Sequence, residues 1–296
     1  MSVVDALGED GLLRYYGVSA GTTLGNHLVS MFPDRIDKVI LDGVVNPHEY
    51  VANREVELFT DVDAILTKFC EACVTTLERC PLGVNKTAEQ LEKDIIAAID
   101  GLLEDPIPIQ IPGVSGGYLL DYTTVKGAIY STPFYFPFQW SGLALQLQAI
   151  MDRNITTLAA VFGGPDSRLL VDSSRTEAQY GIKCADLDKY SSLSDWEVIQ
   201  DARHEQSYWA DASDIVVSCA RWRFDAKERY EGNFTVKTRN PIMLIGNTAD
   251  PVTPIVGARN ASAGYEGSVV LQHDSYGVSI DIMVVLVFDQ SELTWY

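Results

Sequence analysis

Residues 17–21 read Gly-Val-Ser-Ala-Gly, the G-x-S-x-G spacing that lifts a serine hydroxyl out of a tight turn between a strand and a helix. The chemistry implied is acyl transfer. Ser19 attacks a carbonyl, and the backbone N–H of Ala20, at the start of the following helix, stabilises the oxyanion. Small residues at Gly17 and Gly21 let strand and helix approach closely enough for that turn. A bare match arises by chance in about one chain in ten of this size, so the context has to decide.

A serine hydroxyl also needs a base, and the base needs an acid to orient it. In Gly-Asn-Thr-Ala-Asp-Pro-Val, Asp250 stands just past a predicted strand, where parallel sheets gather their catalytic groups. It is equally placed to cap a helix before Pro251, and the two roles can coexist. The base is the difficulty. The four histidines are His27, His48, His204 and His273. The first lies on the helix after the motif, the second follows the next strand and the third falls mid-chain, so all three suit packing or surface contacts. His273 ends the last predicted strand, and a side chain on that strand need not point toward the turn.

The elements that would position these groups follow from hydrophobic periodicity. Residues 2–7 suit the end of a helix, and Leu-Leu-Arg-Tyr-Tyr-Gly reads as a short buried strand entering a glycine turn. After the turn, Leu24, Leu28, Met31 and Phe32 fall near helical spacing, and Pro33 ends the helix. Lys-Val-Ile-Leu-Asp-Gly-Val-Val is a second strand, so the order strand, turn, helix, strand predicts a βαβ unit in a parallel sheet. The same grammar returns after residue 240, with a strand in Pro-Ile-Met-Leu-Ile-Gly-Asn, a helix closed by Gly264 and a strand in Ser-Val-Val-Leu-Gln-His. Between these blocks the pattern is helical. Thr87 and Gln90 are spaced as a capping box ahead of Leu91, Ile95, Ile96 and Ile99. Pro-rich extended pieces separate the helices, and the aromatic residues of Ser-Thr-Pro-Phe-Tyr-Phe-Pro-Phe suit core packing better than a pocket.

Composition narrows the partners. The 296 residues carry 41 acidic and 22 basic side chains, a formal net charge of -19. Nucleic acid and anionic membrane surfaces both call for positive charge and are not expected; a cationic ligand such as a free amine fits better. No signal peptide is readable, and the apolar run at 280–288 carries Asp281 and is too short to span a bilayer. Sequons at Asn85, Asn154, Asn233 and Asn260, with cysteines at 70, 73, 80, 184 and 219, hint at an oxidising, secretory history. Three clustered cysteines without a matching fourth ligand make a poor zinc site. No metal or other cofactor is expected. The odd cysteine count leaves one thiol without a partner in this chain.

Beyond the residue chemistry, the stretch from Asp5 to Tyr50 closely resembles the α/β-hydrolase family of tripeptidyl aminopeptidase and prolyl-aminopeptidase-like serine peptidases, particularly its secreted fungal members. Cys-Ala-Asp-Leu-Asp-Lys-Tyr (184–190), Ser-Cys-Ala-Arg-Trp-Arg-Phe (218–224) and residues 240–277 resemble that family's C-terminal region. The resemblance implies an α/β-hydrolase fold, a parallel sheet with flanking helices carrying a large helical cap. On that basis the core is expected at 1–50 and 237–277, the cap at 51–236 and an aberrant tail at 278–296. It implies Ser19 as nucleophile, Asp250 as acid, a Cys184–Cys219 disulfide, and a peptide substrate with a free N-terminus whose ammonium pairs with acidic residues of the cap. In the family, glycine at the end of the late strand precedes the histidine base. Here Gly277 precedes Val278.

The resemblance stops at that point, and residues 278–296 are expected to be translated intron, which the transcript sequence would decide. At the front, the strands that precede the family's nucleophile motif are not matched. That predicts a truncated chain with a bare outer edge on the first strand and poor solubility. The expected activity is N-terminal peptide release, lost in this chain for want of a base. The alternatives are an esterase of the same fold and a non-catalytic pseudoenzyme.

Overall fold

The computed structural model describes residues 1–113, 115–131, 134, 136–163, 174–188, 193–212, 219 and 222–278. Apart from Val278, the segment expected to be an aberrant tail lies outside them. The chain folds into two compact units. Among the described residues the first takes Met1–Val62, Gln179–Ala210, 219 and 222–278, and the second takes Asp63–Ala178 and 211–212.

In the first unit, helix α1 (Ser2–Ala6) precedes strand β1 (Leu13–Val18), helix α2 (Ala20–Met31), strand β2 (Ile36–Asp42) and the short helix α3 (Pro47–Val51). The second unit is mostly helical: α4 (Val62–Thr75), α5 (Ala88–Asp100), α6 (Tyr122–Tyr130), α7 (Trp140–Met151) and α8 (Ile155–Phe162), with strands β3 (Ile107–Ile109) and β4 (Tyr118–Leu120) paired antiparallel. Helices α9 (Ser174–Asp186) and α10 (Leu193–Gln206) lead back to β5 (Met243–Ala249), α11 (Ile255–Ala263) and β6 (Val269–Tyr276). The four long strands form one sheet in the order β1-β2-β5-β6, and every neighbouring pair is parallel. This is the parallel sheet with flanking helices expected from the βαβ pattern. Among the described residues strand β1 pairs only with β2, so it forms one edge of the described sheet.

The core of the first unit lies on the face covered by α2 and α11. Leu13, Val39, Leu41 and Leu244 from the strands meet Val29, Ala258, Ala261 and Tyr265. The buried side of α2 differs from the hydrophobic spacing read in the sequence. Leu24 and Met31 are 55% and 49% exposed, while Thr22, Gly25, Asn26, Val29 and Ser30 face inward. Close approach explains the exchange. A Cβ on Gly25 would collide with the Leu41 side chain, and bulky side chains on this stripe would hold helix and sheet apart. Asn26 is satisfied in place: its Nδ2 donates to the Val45 carbonyl and Tyr265 Oη donates to its Oδ1.

In the second unit the capping box forms as its spacing predicts, with Thr87 Oγ1 accepting from the Gln90 N–H and Gln90 Oε1 from the Thr87 N–H. Leu91, Ile95 and Ile99 are buried along one stripe of α5, which packs against α6 and α7.

Two disulfides close. Cys73–Cys80 ties the end of α4 to the following loop, and Cys184–Cys219 forms as the family resemblance implies. Cys70 remains a buried free thiol, and burial pushes its pKa up to about 12, too high for a thiolate nucleophile at neutral pH. Cys184 and Cys219 sit in a small core with Tyr50 and Leu187, and their bridge closes a separation of 35 residues. Replacing both by serine is expected to cost about 4 kcal/mol, read as a fall in the denaturant midpoint.

Candidate active site

Ser19 stands between the last residue of β1 and the first of α2, with φ 51° and ψ -119°. A non-glycine residue there is strained by about 1–3 kcal/mol, and the surroundings hold it firmly. Its N–H donates to the Asp42 carbonyl at the end of β2 (2.9 Å). Its carbonyl accepts from both the N–H and the hydroxyl of Thr22 (2.8 and 2.6 Å). Thr22 Oγ1 in turn accepts from the Val45 N–H at 3.0 Å, pinning the start of α2 to the loop after β2. The Ser19 side chain makes no capping hydrogen bond to its own helix, which leaves Oγ free for chemistry. Ala20 is exposed and occupies the first helical position, where an N–H has no acceptor within the helix.

The glycine requirement is sharper than the motif suggests. A Cβ on Gly17 would lie 2.5 Å from Tyr15 Cε1 and 2.7 Å from the Gly21 carbonyl oxygen, whereas one on Gly21 would meet only the Tyr15 hydroxyl, at 3.4 Å. Close packing is therefore demanded at Gly17 and at Gly25. Gly21 takes part through its carbonyl, which accepts from Tyr15 Oη at 2.7 Å.

Asp250 follows β5 directly and is fully buried. Its Oδ1 accepts the N–H groups of Val252 and Thr253, and its Oδ2 accepts the Thr253 hydroxyl, all at 2.8 Å. These bonds hold the carboxylate at the C-terminal edge of the sheet, the same edge at which β1 delivers Ser19, with β2 between the two strands. Burial pushes the Asp250 pKa up to about 6 against the pull of its hydrogen bonds, and the nearby Asp61 carboxylate adds to the rise. Asp61 Oδ2 accepts the Asp250 N–H at 3.2 Å, and burial raises its own pKa. Sequence reading missed Asp61, because 189 positions separate it from Asp250 and no motif marks it.

A carboxyl whose pKa is raised on folding favours the protonated folded state. Its contribution is fully present below the unfolded value of 3.8 and is lost as pH rises through about 6, a change of about 3 kcal/mol. Asp250→Asn is expected to remove that part of the slope, so urea midpoints measured from pH 4 to pH 7 should fall less in the variant.

Among the described residues none of the four histidines is hydrogen-bonded to Ser19 or Asp250. His27 Nδ1 pairs with the Thr23 carbonyl, and its ring packs edge-on to Tyr230 and Phe234. His48 packs on Phe234, and His204 contacts Gln200 within α10. His273 lies on β6 opposite Asn247, whose Oδ1 is 3.0 Å from its Nδ1; among the described residues it makes no contact with Ser19 or Asp250. The Gly277 N–H donates to the Ala249 carbonyl at 2.8 Å, so the next residue follows directly on this bond to β5. That residue is Val278, 7% exposed.

Acidic groups also gather in a small depression lined by Val44, Asn46, Glu49, Glu55, Glu57 and Gly257. All three carboxylates are bonded within the protein. Glu49 accepts the N–H groups of Val56 and Glu57, Glu55 pairs with Lys183 at 2.5 Å, and Glu57 accepts from Asn46 and Asn260.

Residues 205–280 match the family model described as TAP-like protein, an α/β-hydrolase family. That interval holds β5, Asp250, α11, β6 and Val278. The chain has an α/β-hydrolase core. It is 25% identical over 279 residues to the serine protease Hip1 of Mycobacterium bovis and of two strains of Mycobacterium tuberculosis, covering 90% of this chain and 52% of each relative. The chain thus spans about half the length of the curated relatives it matches. A solved acetylester hydrolase from Corynebacterium glutamicum aligns over 91% of this chain and 55% of its own, at 12% identity and a TM-score of 0.27. The family match and the protease relatives support a serine-peptidase-like hydrolase. Among the described residues no helix is long and apolar enough to cross a membrane, and the two disulfides are compatible with an extracellular protein.

Proposed function

We propose that the chain carries the nucleophile and acid of a secreted serine exopeptidase that releases residues or short peptides from peptide N-termini, and that as it stands it is catalytically silent. The observation that carries the hydrolase reading is the strained Ser19, held at φ 51° between β1 and α2, with its hydroxyl making no hydrogen bond among the described residues. In the working arrangement Ser19 Oγ attacks the substrate carbonyl as a base takes its proton, the Ala20 N–H stabilises the oxyanion, and Asp250 orients the base. The tripeptidyl-aminopeptidase resemblance of the sequence and the acidic charge favour a peptide with a free ammonium over a neutral ester.

Silence is favoured by a separate observation, an apolar residue, Val278, directly after Gly277, where the family resemblance implies the base. A serine without a base loses several powers of ten in rate. Labelling with a fluorophosphonate tests both readings. Slow labelling that Ser19→Ala abolishes is the expected result. Rapid labelling of Ser19 would show that some base serves it, and labelling at another residue would overturn the nucleophile assignment.

A further inference from the structure

The nine asparagines of the chain fall into two groups. Asn26, Asn46, Asn53 and Asn247 are buried and Asn240 is half-buried. Most of these have evident structural work: Asn46 caps α3, Asn240 donates to the carbonyls of Ile36 and Asp37, and Asn247 donates to that of Gly277. The other four, Asn85, Asn154, Asn233 and Asn260, are all exposed, and they are the four that stand in Asn-x-Ser/Thr tripeptides. At ordinary Ser and Thr content roughly one asparagine in nine would do so by chance. No exposed asparagine lies outside a sequon.

We propose that Asn85, Asn154 and Asn233 carry N-linked glycans and that Asn260 does not. Asn85 sits at φ 59° after the 3-10 turn Pro81–Gly83, between the Cys73–Cys80 bridge and the capping box at Thr87. The loop is thereby fixed at both ends, while the Asn85 side chain makes no hydrogen bond among the described residues. Asn154 caps α8 through Oδ1, which accepts the Thr157 N–H at 3.1 Å. The planar amide then turns Nδ2 away from the helix, so a sugar on nitrogen leaves the cap intact. Asn233 uses only its carbonyl, which accepts from Tyr230 Oη, while the next residue, Phe234, is buried and anchors the backbone.

Asn260 differs. It lies within α11, and its Nδ2 donates to Glu57 Oε1. A sugar there would wedge between helix and carboxylate, so the folded protein is drawn from chains unmodified at that position. Exposed apolar side chains adjoin two of the three sites, Val84 (49% exposed) beside Asn85 and Ile155 (57%) beside Asn154, and a glycan would shield them from other molecules. The two disulfides fit the oxidising compartment in which the transfer takes place. The donor is a lipid-linked oligosaccharide diphosphate, used by the cell's own transferase. The Asn Nδ2–C1 bond forms as the C1–O bond to the diphosphate breaks, the amide loses one proton, and the lipid diphosphate leaves.

The chain, directed by a cleavable leader into a eukaryotic secretory pathway, is digested and treated with a glycan-releasing amidase in heavy-oxygen water. Mass spectrometry is expected to find Asn85, Asn154 and Asn233 converted to labelled aspartate and Asn260 unchanged. Thr156→Ala and Thr235→Ala, which keep the asparagine but break the sequon, should each erase one mark and leave the rest. The digest is taken from the folded, disulfide-bonded fraction, because transfer precedes folding and chains modified at Asn260 are left out of that fraction. Unmodified asparagine at any of the three sites, or conversion at Asn260, overturns the proposal.

Discussion

Val278→His is expected to turn a silent serine into a reactive one, raising the rate of fluorophosphonate labelling by about 10²- to 10⁴-fold, the typical worth of a positioned general base. The register supports the position: the Gly277 N–H is bonded to the Ala249 carbonyl, which pairs the residue before 278 with the residue before Asp250. That carboxylate already has three hydrogen-bond donors, and a histidine N–H would be the fourth, favouring the ionised acid that orients a base. The gain must vanish in the Ser19→Ala, Val278→His double variant. A labelling rate unchanged by Val278→His in a folded protein would show that more than the base is missing. In the reactive variant, comparing tripeptidyl amides with simple acyl esters separates the exopeptidase reading from an esterase.

Gly17→Ala is expected to cost at least about 3 kcal/mol, because the new methyl meets the backbone oxygen of Gly21 at 2.7 Å and backbone cannot rotate away as a side chain can. Helix α2 would have to move off the sheet, carrying Ser19 out of its strained geometry. The denaturant midpoint should drop sharply, and adding Gly17→Ala to Val278→His should abolish the gained labelling even where the protein remains folded. Gly21→Ala is the internal control. Its methyl would meet only the Tyr15 hydroxyl at 3.4 Å, and a loss as large as that at Gly17 would contradict the packing described.

Local signals carried a good deal of this molecule. The strand-turn-helix pattern around Ser19, the strands on either side of Asp250 and the capping box at Thr87 each depend on residues within a few positions of one another, and each formed in the expected element. The orientation of α2 did not follow from periodicity. Its inward face is set by how closely the helix approaches Leu41 and Tyr15, which favours Gly25, Thr22 and Asn26 over the larger Leu24 and Met31. The pairing of β3 with β4 was hidden for another reason, since a three-residue strand of Ile-Pro-Ile is too short to show a period.

For the candidate site the division is similar. Residue types alone pointed to Ser19, Ala20 and Asp250, because a nucleophile turn and a strand-end acid have compact spacing rules; the lack of a histidine after Gly277 was legible only through the family resemblance. The left-handed backbone at Ser19, the rise in the Asp250 pKa and the contact from Asp61 arise from groups far apart in the chain. Burial and electrostatics act through space, so only the folded sheet, which bonds Gly277 to Ala249 and leaves His273 facing Asn247, decided how these groups are set.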